Sequence, residues 1–252
     1  MKKSFILLGI VLTPPAAFAQ DGDNTGTNPI NFTYDWRSHR EMLDLGSGDN
    51  SLTIQTIQQR FPVGKTQLQI RVRHSSLSLD PDGNGTSTET SGIGDWDARL
   101  LYVPKVSASG AIAVGMEAGI PAASNDFLGN GKWTLGPQVF LVKFRPGLGA
   151  TLIAPAYQYV FSVAGDDARA DVSRSQFDIF GLWLDTNKRW WFMANPQAVI
   201  DHENDLGFAL FEVEYGRMMF AGLSAYSRPS LGIGTDRPYD WSVELGLKII
   251  WR

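Results

Sequence analysis

His74 and Ser76, in the stretch "RVRHSSLSL", have the residue types and spacing for nucleophilic chemistry. On a β-strand, residues i and i+2 share a face, so the imidazole could accept the serine proton as the serine oxygen attacks an ester. A third group must orient the histidine. Asp95 and Asp97 fall on the opposite face by parity, and Glu89 lies in a predicted loop. Because no acid shares the face of the pair, a histidine at the rim of a sheet is the simpler interpretation.

The stretch "DPDGNGTSTET" places oxygen ligands in the order of a calcium loop. Asp80, Asp82 and Asn84 occupy its first, third and fifth positions, and hard cations prefer such ligands. The last position of the motif is Ser91 rather than a glutamate. A turn-rich surface loop without metal is therefore the competing interpretation, and we expect no cofactor and no catalytic residue elsewhere.

A larger set of polar side chains occurs at every second position of alternating segments, which puts them on one face of their strands. We expect this face to line the interior of the fold, with both signs of charge available for ion pairs. The arginines come from two neighbouring segments and predict a basic wall, with glutamates well around the circumference. The expected lining residues are Gln67, Gln69, Arg71, Arg73, Asp95, Asp97, Arg99, Glu117, Asp178, Glu212, Glu214, Glu244 and Lys248.

Apolar side chains share the inward parity of two later segments. They are Leu182, Leu184, Trp191, Met193 and Val199. An apolar wall beside a charged one suits an amphipathic or aromatic solute better than a simple ion.

The first residues predict export. Lys2 and Lys3 precede the apolar run 5–12, and the small-x-small stretch 17–19 follows, so residues 1–19 are typical of a signal peptide and 20–29 form a short periplasmic segment. The chain has no cysteine, which excludes a lipid-modified N-terminus and disulfides. Loss of the two lysines takes the formal net charge from −4 to −6, which argues against nucleic acid as a partner.

Period-two alternation predicts an all-β fold. The final segment, "WSVELGLKIIWR", has one apolar face and one face with Glu244 and Lys248. Twelve strands of about ten residues are predicted, close to what a tilted strand needs to cross a bilayer. They are 30–37, 51–61, 65–76, 93–103, 109–120, 133–145, 150–163, 174–184, 190–200, 206–215, 218–227 and 240–251.

The connections between these strands alternate in length. Short turns such as "PVG", "PKVSA" and Gly216-Arg217 alternate with mostly long polar loops such as 38–50 and 228–239. Short periplasmic turns and long extracellular loops are the habit of outer-membrane barrels. Residues 30–252 are therefore predicted to form a transmembrane antiparallel β-barrel in the Gram-negative outer membrane, with its apolar face toward lipid. A secreted β-sandwich is the alternative.

The segments "SGIGDWDARLLYVPK" and "AVGMEAGIPAASNDFLGNGKWTLGPQVFL" resemble the outer-membrane family named after the MetA pathway of phenol degradation. The resemblance rests on a "GxGD" entering a strand and an apolar-proline pair before a glycine-rich loop. Its residues are Gly92, Gly94, Asp95, Ile120, Pro121, Gly129 and Gly131. The resemblance implies a transport protein without catalytic residues. The chain departs from outer-membrane barrels in ending on Arg252 after Trp251 rather than on the aromatic residue.

These observations predict a monomeric passive channel for small hydrophobic or aromatic molecules. Its expected partners are outer-membrane lipids and lipopolysaccharide, the barrel-assembly machinery during biogenesis, and a small-molecule solute. An outer-membrane lipid hydrolase using His74 and Ser76, and a non-conducting structural or adhesive barrel, are the alternatives.

Overall fold

The computed structural model describes residues 25–46, 50–80, 85–147 and 149–251. They form one antiparallel sheet that closes on itself, because β2 pairs with both β1 and β3 while β1 pairs with β13. The strands are β1 Tyr34–Asp44, β2 Ser51–Val63, β3 Thr66–Leu79, β4 Thr88–Ile93, β5 Trp96–Val106, β6 Gly110–Ile120, β7 Lys132–Phe144, β8 Leu152–Gly165, β9 Ser173–Leu184, β10 Trp190–Asp201, β11 Leu206–Phe220, β12 Leu223–Ile233 and β13 Trp241–Trp251. No helix in the described part of the chain is long and apolar enough to cross a membrane.

The predicted twelve-stranded antiparallel barrel is confirmed. β4 and β5 both pair with β3 and occupy one position in the ring, so thirteen segments make twelve strand positions. The interruption falls at Gly94 and Asp95, where the backbone of Gly94 still donates to Arg73 O. Closure gives every strand except β4 a partner strand on both sides, and a bilayer demands such pairing of any backbone within it.

Side chains alternate between the two surfaces of the barrel as the sequence predicts. On β13, Leu245 and Leu247 are about half exposed, whereas Glu244 is 6% and Lys248 0% exposed. Trp241 and Trp251, at the two ends of that strand, are exposed on the same surface as the leucines. The apolar surface is therefore the outer one, and most charges of the strands lie inside.

Several predicted strand boundaries are wrong. The first strand begins at Tyr34 rather than at residue 30, and the end of the predicted loop around Glu89 forms β4. β1 extends to Asp44, because pairing with β2 and β13 supplies hydrogen-bond partners that the local pattern does not reveal. β12 extends to Ile233 through Pro229, so the loops that follow β1 and β12 are 45–50 and 234–240 and shorter than expected. The segregation of short turns and longer loops remains, with both described termini at the short-turn end.

The predicted turn at Gly216-Arg217 is also wrong. β11 continues to Phe220, and the turn contains Gly222, whose φ is +81°. Gly216 lies within the ladder, opposite Trp191 on β10. A Cβ at this position would lie 1.9 Å from the Trp191 ring, so this glycine makes room for an aromatic side chain rather than for a turn.

Candidate functional site: the barrel lumen

One wall of the lumen, formed by β3, β5 and β6, carries a network of ion pairs. Arg71 Nε lies 2.5 Å from Asp97 Oδ1, and Arg71 Nη2 lies 2.8 Å from Glu117 Oε2. Arg99 contacts the same Glu117 oxygen at 2.6 Å, and Arg73 contacts Asp97 at 2.5 Å. Residues on β3 reach β6 across the intervening β5, which places the network inside the barrel. The expected basic wall is therefore a mixed wall, in which carboxylates lie among the arginines.

A second network joins β10 to β13. Glu214, fully buried, accepts hydrogen bonds from Lys248 Nζ at 3.0 Å, from Arg228 Nη2 at 2.5 Å and from Trp191 Nε1 at 2.6 Å. Glu244 accepts from Tyr226 OH at 2.6 Å. Three donors on one carboxylate offset the cost of burying it.

The sequence pattern predicted some of the partners of Glu214 inside the barrel and missed another. Pro229, next to Arg228, made its segment resemble a loop, so the sequence pattern missed this arginine. Trp191 was expected inside the barrel, but nothing in the sequence indicated that its indole nitrogen would reach a carboxylate.

The remaining expected lining residues have individual partners. Gln67 and Gln69 are buried, Asp178 accepts from Gln176 Nε2 at 3.1 Å, and Glu212 is within 3.5 Å of Asn195 Nδ2. Asp95 differs from the others, because its carboxylate binds a loop. The structure thus places most of the expected set in two networks on different sides of the lumen.

Two cavities lie between the walls. The larger, of about 450 Å³, lies at the loop end and is lined by residues that include Arg73, Asp97, Glu117 and Arg174. The smaller, of about 230 Å³, is lined by the second network together with strands β1 to β3. Arg73 borders both cavities, so the larger one, which we call the vestibule, adjoins the smaller one at this side chain. The charged side chains pair along the walls and leave space inside.

Two loops form the rim of the vestibule. Asp95 accepts hydrogen bonds from Ala123 N at 3.2 Å and Asn130 N at 2.7 Å, which ties the loop 121–131 to the break between β4 and β5. Arg169 Nη2 donates to Asp126 O and Gly129 O, at 2.8 and 2.5 Å, and so joins the loop 166–172 to the same loop. Asp95 and Gly129, two of the residues that carried the family resemblance, therefore help to hold the rim of the vestibule.

The close approach of this loop requires glycines. A Cβ on Gly92 would lie 2.1 Å from Ser124 Oγ, and one on Gly129 would lie 2.4 Å from Asp95 Oδ1. In the neighbouring loop, the hydrogen bond from Lys132 and a second from Ser162 lower the pKa of the Asp171 carboxyl below its ordinary value. Asp171 is thus held ionised and paired at the rim.

The short-turn end of the lumen is filled by the segment 25–33 and an apolar cluster. Gly26 O accepts hydrogen bonds from the guanidinium groups of Arg37 and Arg60, and Thr27 Oγ1 accepts one from Lys248 Nζ at 2.9 Å. Ile30 packs into a cluster of inward side chains that includes Val103, Ala111, Ala113, Val142, Leu152, Ala154, Leu182, Trp191, Met193, Met218 and Tyr226, with Leu184 against it. The apolar residues expected on β9 and β10 are thus buried, most of them in this cluster and Val199 outside it.

No hydrogen bond joins the side chains of His74 and Ser76 in the structure. His74 is exposed on the outer surface between Gln55 and Ile93, and its neighbour Ser75 points inward. A different serine–histidine pair forms elsewhere, on β9 and in the turn after β10, with Ser175 Oγ 2.9 Å from His202 Nε2. Tyr157 OH lies 3.2 Å from the same serine oxygen, so these side chains satisfy one another on the outer surface near the loop end.

The calcium candidate falls largely outside the described residues, since Asp82 and Asn84 lie in 81–84. Asp80 uses its carboxylate to accept the backbone N–H of Gly85 at 2.8 Å. Within the described ranges, no group of three or more acidic, histidine or cysteine side chains could hold a metal ion.

The closed ring, its apolar outer surface and its paired interior charges define a β-barrel of the outer-membrane type. Neither a protein-family model nor a curated protein sequence matches the chain.

Solved outer-membrane barrels match this fold. The COG4313 outer membrane channel from Pseudomonas putida F1 has a TM-score of 0.68 at 12% identity, over 87% of this chain and 96% of that one. The NanC porin has a TM-score of 0.57 at 14% identity, over 86% and 98%. The KdgM porin has a TM-score of 0.54 at 10% identity, over 86% and 99%. At these identities the likeness is one of fold.

Proposed function

We propose that the chain is a passive outer-membrane channel for small solutes with a hydrophobic or aromatic part. The observation that carries this proposal is the pair of adjoining cavities inside a closed barrel, of about 450 and 230 Å³. A barrel with a purely structural interior would need those charged side chains to fill it. Solved channels and porins with this fold support the proposal at the level of architecture.

The character of the solute follows from the change in polarity along the lumen. A solute entering at the loop end meets paired charges, and one leaving at the short-turn end meets Leu182, Met193 and the other residues of the apolar cluster. A molecule with one polar and one apolar part can interact favourably with both environments. A strongly hydrated ion would lose its hydration at the apolar end without replacement ligands.

We also propose that the chain resides in the outer membrane as a monomer, after insertion by the barrel-assembly machinery and in contact with lipid and lipopolysaccharide. The apolar outer surface supports this location. Membership of the MetA-pathway family remains part of the proposal and is supported by the roles that Gly92, Asp95 and Gly129 have at the vestibule.

Planar-bilayer recording of the purified protein tests the channel proposal. We expect only small conductance steps in potassium chloride, because hydrated ions cross the apolar end poorly, and uptake of small aromatic solutes into proteoliposomes down their concentration gradient. A correctly folded barrel that neither conducts nor admits solutes would make the non-conducting structural barrel the better assignment. Saturable uptake against a gradient would contradict a passive mechanism.

Glu89, expected in a loop, lies on β4 opposite Ser78 and so shares the face of His74 and Ser76. The lipid hydrolase is still the weaker alternative, because no hydrogen bond joins His74 to Ser76 or to Glu89. The three solved barrels compared above are described as channels or porins. We expect the wild type, His74→Ala and Ser76→Ala to leave phospholipid and lipid A unchanged in mass spectra of the membrane. Hydrolysis by the wild type that both variants lose would favour the enzyme instead.

A further inference from the structure

The vestibule contains an imbalance between its cationic and anionic side chains. Its lining includes five carboxylates, on Asp95, Asp97, Glu117, Asp171 and Asp201, and three guanidinium groups, on Arg73, Arg169 and Arg174. The formal charges alone would favour a cation. The hydrogen bonds favour an anion instead, because side chains that already have partners within the protein contribute little to binding a solute.

Each carboxylate of the vestibule has donors within the protein. Asp97 and Glu117 pair with arginines, Asp171 pairs with Lys132 at 3.0 Å, and Asp95 accepts the two backbone N–H groups of the rim loop. Asp201 accepts from Glu203 N at 3.0 Å, from Asn204 N at 3.1 Å and from Asn204 Nδ2 at 3.0 Å. The carboxylates of the vestibule therefore already have hydrogen-bond donors in the barrel wall, in the rim loops and in the turn after β10.

Arg174 differs from these groups. It lies on the inner face of β9, between Val160 on β8 and Asp201 on β10. Its Nε is buried without any hydrogen-bond partner, and no carboxylate in the described ranges lies within ion-pair distance of its guanidinium group. The adjacent Asp201 interacts with Arg174 through its charge, but its carboxylate oxygens accept hydrogen bonds from its own turn and form no ion pair with Arg174. A buried donor without an acceptor is unfavourable, so an anionic acceptor in the vestibule would satisfy both the Nε donor and the positive charge of Arg174.

Arg169 adds to the positive charge. Its described hydrogen bonds go to two backbone carbonyls, which leave its charge without a carboxylate partner. Arg73, by contrast, has an ion pair with Asp97, which it shares with Arg71. Two guanidinium charges of the vestibule are therefore uncompensated by an ion pair, whereas all of its acids have donors.

We propose that Arg174 anchors a binding site for the carboxylate group of an organic solute, at the loop-end mouth of the lumen. A guanidinium group presents two parallel N–H donors that match the two oxygens of a carboxylate. The vestibule volume of about 450 Å³ accommodates such a group with an aromatic ring attached. This inference rests on the proposed channel and names the polar part of its solute.

Isothermal titration calorimetry on the folded protein in detergent tests the site with benzoate and with benzamide, its neutral counterpart. We expect wild-type protein to bind benzoate at least about tenfold more tightly than benzamide, and Arg174→Gln to lose that difference. Arg174→Lys should retain part of the preference because it keeps the charge. Arg189→Gln is the matched control, since it removes the same charge from an exposed turn at the other end of the barrel.

Equal binding of the two compounds, no binding of either, or the same loss in Arg189→Gln would overturn the site. A heat-modifiable band shared by all variants shows that loss of binding is not loss of folding. Bilayer recording separates the two proposals. Benzoate binding by a barrel that never conducts removes the channel and leaves the site, and conduction by a barrel that does not bind benzoate removes the site alone.

Discussion

At the scale of single residues, the two surfaces of β13 have opposite requirements. Leu247 is 48% exposed on the outer surface. Glu244 is 6% exposed, lies inside the barrel and accepts a hydrogen bond from the hydroxyl of Tyr226. A charge placed in hydrocarbon has no partner, but an amide in place of the glutamate can still accept that hydrogen bond. The consequences of substitution should therefore depend on the face of the strand rather than on its position along it.

We predict that Leu247→Arg reduces the yield of folded barrel far more than Glu244→Gln does. A lipid-facing arginine near the bilayer midplane costs roughly 2–4 kcal/mol. The measurement is the fraction of heat-modifiable protein in outer-membrane extracts, with Leu247→Val as the control for the loss of leucine itself. Similar yields for the arginine and glutamine variants would mean that the two faces are reversed.

A second residue-scale prediction concerns Gly216. A side chain there must occupy the space of the Trp191 ring, since a Cβ would lie 1.9 Å from it. We expect Gly216→Val to displace the ring from its hydrogen bond with Glu214 and to lower the temperature at which the barrel unfolds in detergent. Gly207→Val is the control, because the nearest atom to a Cβ at Gly207 is 3.9 Å away. Equal unfolding temperatures for the two variants would contradict the packing role of Gly216.

At the scale of elements, the break between β4 and β5 determines the shape of the vestibule. β4 pairs only with β3 among the strands, so its other edge is exposed where β6 ends. The loop 121–131 lies along that edge, with Ser124 N donating to Ile93 O at 2.9 Å. An exposed edge invites non-native pairing, and a covering loop prevents it.

We predict that Asp95→Ala releases this loop without unfolding the barrel. The substitution removes the acceptor for Ala123 N and Asn130 N, whereas the sheet ladder does not depend on that carboxylate. Limited proteolysis of the folded protein should cut within 121–131 faster in the variant than in the wild type. Asp205→Ala, in the turn between β10 and β11, serves as the control, and an unchanged cleavage pattern in Asp95→Ala would show that other contacts hold the loop.

At the scale of the whole molecule, the barrel has an open polar half and a filled apolar half. The larger cavity lies at the loop end and the smaller one lies between it and the short-turn end, which contains the segment 25–33 and the apolar cluster. Conduction through the barrel therefore depends on how firmly that segment is held. Its anchors are the buried cations Arg37, Arg60 and Lys248 on one side and the packing of Ile30 on the other.

We predict that Ile30→Asp increases single-channel conductance, because an unpaired carboxylate in the apolar cluster displaces the segment. Ile30→Val keeps the apolar contact and is the matched control. Both variants should retain the heat-modifiable band, because the segment lies outside the sheet ladder. Conductance that is equal in the wild type and both variants would mean that the segment does not obstruct the path.

The sequence by itself determined the closed antiparallel barrel and most of its inward and outward faces. That information is local, since a period of two along each strand separates residues that meet lipid from residues that meet the interior. The ends of β1 and β12 were not determined locally, because charged residues and Pro229 interrupted the alternation while pairing with neighbouring strands extended them. The tertiary structure alone decided which charges meet.

Arg71 reaches Glu117 across a strand, Glu214 accepts hydrogen bonds from three other strands, and Arg174 Nε has no acceptor. Such contacts depend on the stagger and curvature of the closed sheet, which no single strand encodes. The same is true of the segment 25–33, whose place in the lumen depends on a cavity that exists only once the ring has closed.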